Sequence, residues 1–108
     1  MSGITSHVLD ISTGKPAEGV NITLYNSIEK IATSVTDSDG RLTDFFEKNV
    51  VIEKGMYTIS FDTGNYFEVK GVKSIYPFVE ISFIIDTDEN YHIPLLISPF
   101  GFTTYRGS

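Results

Sequence analysis

Apolar and polar positions alternate along most of this chain, and a turn cluster closes almost every alternating run. Val20-Asn-Ile-Thr-Leu-Tyr25 sets Val20, Ile22 and Leu24 on one face, and Met56-Tyr-Thr-Ile-Ser-Phe61 repeats the pattern. A period of two is the signature of a half-buried strand. The same reading covers Ile4–Ile11, which ends in the turn cluster Ser12-Thr-Gly-Lys-Pro16, then Ile31–Thr36 and, most strongly, Phe78–Ile85. Leu42–Phe46 reads as a short edge strand. Asp86-Thr-Asp-Glu-Asn90 reads as an acidic hairpin loop into Tyr91–Ile97, and Ser98-Pro-Phe-Gly101 turns that strand back into the aromatic run Phe100–Tyr105. Pro94 lacks an amide proton, so the Tyr91–Ile97 strand is expected at an edge or bulged there. A strand so rich in leucine and isoleucine needs cover, and oligomerisation is one way to supply it.

One segment departs from this rhythm. Thr63-Gly-Asn-Tyr-Phe-Glu-Val-Lys-Gly71 has cap residues in front, Lys70 near its end and Gly71 as a stop, and predicts a helix of about two turns, at about residues 64–71. Seven or eight strands with one short helix predict an all-β fold, a β-sandwich. No internal repeat, low-complexity tract or linker divides residues 1–108, so a single domain is expected.

Composition narrows the partners. A formal net charge of −6, with only eight lysines and arginines, argues against nucleic acid. No run approaches the ~18 apolar residues of a membrane span. The first residues, Met1-Ser-Gly-Ile-Thr-Ser-His7, have neither the basic nor the apolar region of a secretory signal. The absence of cysteine excludes disulfides and thiol catalysis and fits a reducing cytoplasm, the expected location.

The candidate chemistry is sparse. His7 and His92 are the only histidines, one in each of two sequence-distant strands. Histidine titrates near neutrality and takes a proton from water, although a lone histidine in a strand is more often an ordinary half-buried residue. On strict alternation His7 shares a face with Thr5 and Leu9, and His92 with Pro94 and Leu96. Arg41 follows the tight turn Asp37-Ser-Asp-Gly40, a placement that aims a guanidinium at a planar polar ligand or leaves a solvated charge. A calcium loop fails on register, because Gly40 at its sixth position puts Val35 first and Phe46 twelfth. Two histidines without cysteine argue against a four-ligand zinc site, unless a symmetric oligomer pairs histidines from two subunits. Ser98 or Ser108 with a histidine and Asp10 imitates a hydrolytic triad, but no nucleophile-elbow motif accompanies it. The tail Tyr105-Arg-Gly-Ser108 concentrates directed chemistry where most chains turn nondescript: Arg106 is a fork of donors, Gly107 allows close backbone approach, and Ser108 adds a hydroxyl.

Taken in order, Ser6-His-Val-Leu-Asp10, Gly14-Lys-Pro-Ala17, Thr36-Asp-Ser-Asp-Gly-Arg41, Gly55-Met-Tyr57, Tyr66-Phe67, Tyr76-Pro77, Tyr91-His-Ile-Pro-Leu-Leu-Ile-Ser-Pro99 and Tyr105-Arg-Gly-Ser108 resemble the 5-hydroxyisourate hydrolases. These are the transthyretin-related enzymes of urate breakdown. The resemblance runs from about residue 4 to the last residue, and the Tyr-Arg-Gly-Ser tail is the family's own signature. It implies a transthyretin-like two-sheet β-sandwich of about eight strands with one short helix. It also implies a homotetramer, a dimer of dimers with sites in the channel between them. The implied reaction opens the purine ring of 5-hydroxyisourate to 2-oxo-4-hydroxy-4-carboxy-5-ureidoimidazoline, with no cofactor and no metal. The family's catalytic residues fall on His7, Arg41 and His92, and its substrate-binding tail on Tyr105, Arg106, Gly107 and Ser108. A non-catalytic carrier of a small aromatic ligand on the same scaffold is the alternative. Transthyretin itself lacks the matching histidines and tail.

Overall fold

The computed structural model describes residues 3–27, 29–42, 45 and 52–108. Among these residues, ten strands and one helix follow in chain order: β1 (Ile4–Thr5), β2 (Val8–Asp10), β3 (Lys15–Pro16), β4 (Asn21–Asn26), β5 (Glu29–Val35), β6 (Gly55–Phe61), α1 (Thr63–Val69), β7 (Val79–Ile85), β8 (Tyr91–His92), β9 (Leu95–Ser98) and β10 (Gly101–Thr104). One four-stranded sheet has the order β5-β4-β6-β7, the other β10-β9-β2-β3, and β1 pairs in parallel with β8. The expected edge strand at Leu42–Phe46 lies largely outside the described residues; Leu42 itself bridges Thr36.

The alternation read from the sequence sets the core. In the first sheet Ile22 stands opposite Phe61 and Leu24 opposite Ile59, while Phe61 and Ile59 face Val79 and Ile81 on their other side. Val8, Leu95 and Ile97 of the second sheet are buried with them, and Tyr66 and Phe67 of α1 complete the cluster. Each fully buried side chain of this size contributes roughly 1.5–3 kcal/mol relative to exposure. The helix ends as expected. The Asp62 side chain accepts from Asn65 N, Lys70 is the C-cap, and Gly71 takes φ +71°. Val72 N donates to Phe67 O at 2.9 Å and Gly71 N to Glu68 O at 2.9 Å, so the last carbonyls are satisfied.

Four expectations change. The N-terminal strand is interrupted at Ser6-His7, because this stretch is shared between two neighbours: Leu42 N donates to Ser6 O and Val8 N to Gly40 O on one side, while Leu95 N donates to His7 O on the other. Lys15–Pro16, read as turn, pairs with Leu9 and Asp10. Residues 86–90 are not a hairpin loop, since β7 pairs with β6 and β8 with β1, so the segment crosses between sheets. The Tyr91–Ile97 strand breaks at Ile93-Pro94 as its proline demands, yet its second half, β9, lies between β10 and β2 rather than at an edge.

Candidate active site

The breaks in β1/β2 and β8/β9 lie side by side, and the site forms there. Thr5 pairs with His92 in the parallel ladder. On the far side of His92, Gly107 N donates to His92 O at 2.8 Å, bringing the chain's last residues back onto β8. On the far side of the Ser6-His7 step, His7 and Arg41 are bridge partners. Arg41 is held there by its turn: Asp37 Oδ1 accepts from Asp39 N at 2.9 Å and Arg41 N at 3.0 Å, and Gly40 sits at φ +73°. A Cβ at Gly40 would lie 2.3 Å from Val8 O, so no other residue lets the turn approach β2 this closely.

An open cavity of about 670 Å³ lies over this junction. Arg41, His92, Arg106, Gly107 and Ser108 line it, together with Thr5, Ser6, Leu42, Glu89 and Asn90. His7 and Tyr105 do not line it. The His7 ring turns aside, its Nε2 2.9 Å from Asp39 O. A carbonyl only accepts, so Nε2 of His7 carries a proton and donates. Tyr105 is 59% exposed beyond the rim. Of the lining residues not singled out from the sequence, Thr5 was legible as sharing the His7 face. Glu89 and Asn90 were not, because their position depends on the crossover between sheets.

Three features shape the cavity's chemistry. His92 is half-buried, with Nδ1 2.8 Å from Thr5 Oγ1. Burial, then the nearby His7 and Arg41, hold its pKa below the ordinary value, so it is neutral at neutral pH. Gly107 packs directly against it, since a Cβ there would lie 2.4 Å from His92 Cδ2 and 3.4 Å from Pro94 Cδ. The Arg106 guanidinium lies 4.4 Å above the Tyr91 ring, 3.4 Å from Asn90 O and 3.7 Å from Glu89 Oε2. Tyr91 is pinned beneath it, its hydroxyl accepting from Asp86 N and Thr87 N and donating to Asp86 Oδ1.

A β-sandwich whose open cleft presents two guanidinium groups and a neutral imidazole defines a small-molecule binding or hydrolytic protein. The family comparison agrees: residues 4–107 match the HIUase/Transthyretin family model, and the chain belongs to that family. A probable 5-hydroxyisourate hydrolase of Schizosaccharomyces pombe is 43% identical, over 97% of this chain and 90% of that one. The structure of Klebsiella pneumoniae 5-hydroxyisourate hydrolase superposes with a TM-score of 0.92 at 41% identity, covering all of both chains. Transthyretin from Sparus aurata superposes with a TM-score of 0.88 at 27% identity, over 96% of this chain and 95% of that one.

Proposed function

We propose that this chain is a 5-hydroxyisourate hydrolase of purine catabolism, working as one transthyretin-like domain over residues 1–108 and requiring no cofactor. The observation that carries the reading is the convergence of Arg41 with His92 and the Arg106–Ser108 tail, from distant parts of the sequence, on one cavity. The similarity to hydrolases along the whole chain supports the same substrate.

The chemistry follows from the groups present. A water held at His92 loses a proton to the imidazole as its oxygen attacks the acyl carbon of the ring. The acyl–nitrogen bond then breaks, the nitrogen takes a proton, and the net change is addition of one water with opening to 2-oxo-4-hydroxy-4-carboxy-5-ureidoimidazoline. His7, the bridge partner of Arg41, is the partner of His92 through its electrostatic influence on that ring. Arg41 orients the planar substrate and stabilises negative charge developing on the attacked carbonyl. Arg106 and Ser108 bind the ring's polar edge, and Tyr105 adds its face when the tail closes. The working form is a homotetramer, a dimer of dimers, in the cytoplasm.

The test is the ultraviolet decay of freshly made 5-hydroxyisourate, read against a no-protein control because the substrate decays unaided. Wild type accelerates the decay. His92→Asn and a chain ending at Thr104 each lose about 10²–10⁴-fold of that acceleration, the usual contribution of a general base and its positioning. Folded protein that binds the substrate without accelerating its decay would establish a carrier instead.

A further inference from the structure

We infer that Thr5 is a positioning residue for His92. Its hydroxyl holds the imidazole in the tautomer with the proton on Nδ1 and leaves the Nε2 lone pair to the cavity. The inference rests on the reading of His92 as the base and adds the group that sets it.

The ring is held on two edges. Thr5 and His92 are direct partners in the β1–β8 ladder, and Thr5 Oγ1 stands 2.8 Å from Nδ1. The backbone on either side is tied, Tyr91 N donating to Gly3 O at 2.7 Å and Ile93 N to Thr5 O at 2.9 Å, which fixes the spacing of the two side chains. Across the ring, the Gly107 backbone closes on Cδ2 so tightly that a methyl group would lie 2.4 Å away. Nε2 and Cε1 are the ring atoms left free of these two contacts.

A hydroxyl both donates and accepts, so the direction of this bond follows from the work of the other nitrogen. A base needs a bare nitrogen toward the water, and in a neutral imidazole the remaining nitrogen then carries the proton. Nδ1–H donating to Thr5 Oγ1 satisfies this. The Thr5 side chain is exposed to the cavity, so its own hydroxyl proton stays available to the bound water. His7 is set the opposite way, its Nε2–H fixed by the Asp39 carbonyl. Each histidine is therefore held by a group outside the pair, His92 at Nδ1 and His7 at Nε2. This is the arrangement in which a base is oriented by a third residue.

The experiment combines histidine ¹⁵N chemical shifts at neutral pH with kcat and KM for 5-hydroxyisourate in wild type, Thr5→Val, Thr5→Ser and His92→Asn. Wild-type His92 is expected with Nδ1 protonated and Nε2 bare. In the nearly isosteric Thr5→Val the ring mixes tautomers and kcat falls about tenfold, the size of one lost hydrogen bond, with KM held within about twofold. Thr5→Ser restores both the shifts and kcat. Wild-type His92 protonated on Nε2 overturns the inference. So does a Thr5→Val enzyme with wild-type shifts and kcat beside an inactive His92→Asn, a result that leaves the base reading standing. A fully active His92→Asn instead refutes the base reading itself.

Discussion

A carboxylate beside an imidazole raises its pKa, but the causes acting on His92 all push the other way. Burial is the largest, followed by the charges of His7 and Arg41, and each disfavours the imidazolium. The folded-state pKa therefore lies below the ordinary 6.5, and the proposed base is neutral at neutral pH. The acid limb of kcat/KM is expected below 6.5, with the rate lost as pH falls through the folded-state value and His92 takes its proton. Stability moves with the same sign. Below 6.5 the unfolded chain binds a proton that folded His92 resists, so stability falls with pH through the window between 6.5 and the lower folded value. Histidine proton chemical shifts titrated alongside the rate check both statements. An acid limb at or above 6.5 would sink the account of the site's electrostatics.

Among the elements, those whose pattern is local were legible in the sequence. β4, β6 and β7 appear where alternation puts them, and α1 sits between its Asp62 cap and Gly71 stop. What was not legible depends on neighbours. The interruption at Ser6-His7 exists because two other segments share the same backbone, one on each side, and Lys15–Pro16 becomes a strand only because β2 is there to pair with it. For the site, two histidines, one arginine and the tail could be picked out one by one, but the turning of His7 toward Asp39 is a tertiary fact. The link between α1 and β2 is another such fact. Tyr66 Oη donates to Oδ2 of buried Asp10 at 2.9 Å, while Ser12 N and the Ser12 hydroxyl serve Oδ1. Burial first, and then the hydrogen bond to Asp10, raise the Tyr66 pKa well above its ordinary value, so the phenol stays a donor. Tyr66→Phe strands a buried carboxylate oxygen and is expected to cost about 1–3 kcal/mol in urea unfolding, with hydrolase activity retained by the folded fraction. An unchanged midpoint would mean that the helix is held by the packing of Phe67 and its neighbours alone.

At the scale of the whole molecule, each sheet finishes in an open edge among the described residues, β7 at one end of β5-β4-β6-β7 and β10 at one end of β10-β9-β2-β3. β7 is seven residues long and carries Ile84, 66% exposed. Long apolar edges invite pairing with another chain, and natural proteins cover them. The site-bearing sheet has a second reason for a partner. Leu9 and Leu96 are cross-strand neighbours on the face away from the core, only partly covered by their own chain. The proposed dimer of dimers uses both features, edges for one contact and this outer face for the other. A contact that holds at micromolar concentration buries roughly 1,200–2,000 Å² in total. Sedimentation is expected to give a four-chain species for the wild type. Leu96→Glu places an unpaired carboxylate on the outer face without entering the core, and should leave folded dimers, because an uncompensated charge in an interface costs several kcal/mol. Dimers that also lose hydrolase activity would tie catalysis to the closed channel. A tetramer undisturbed by the glutamate would move the second contact off this face, and a wild-type monomer would leave both edges needing another explanation.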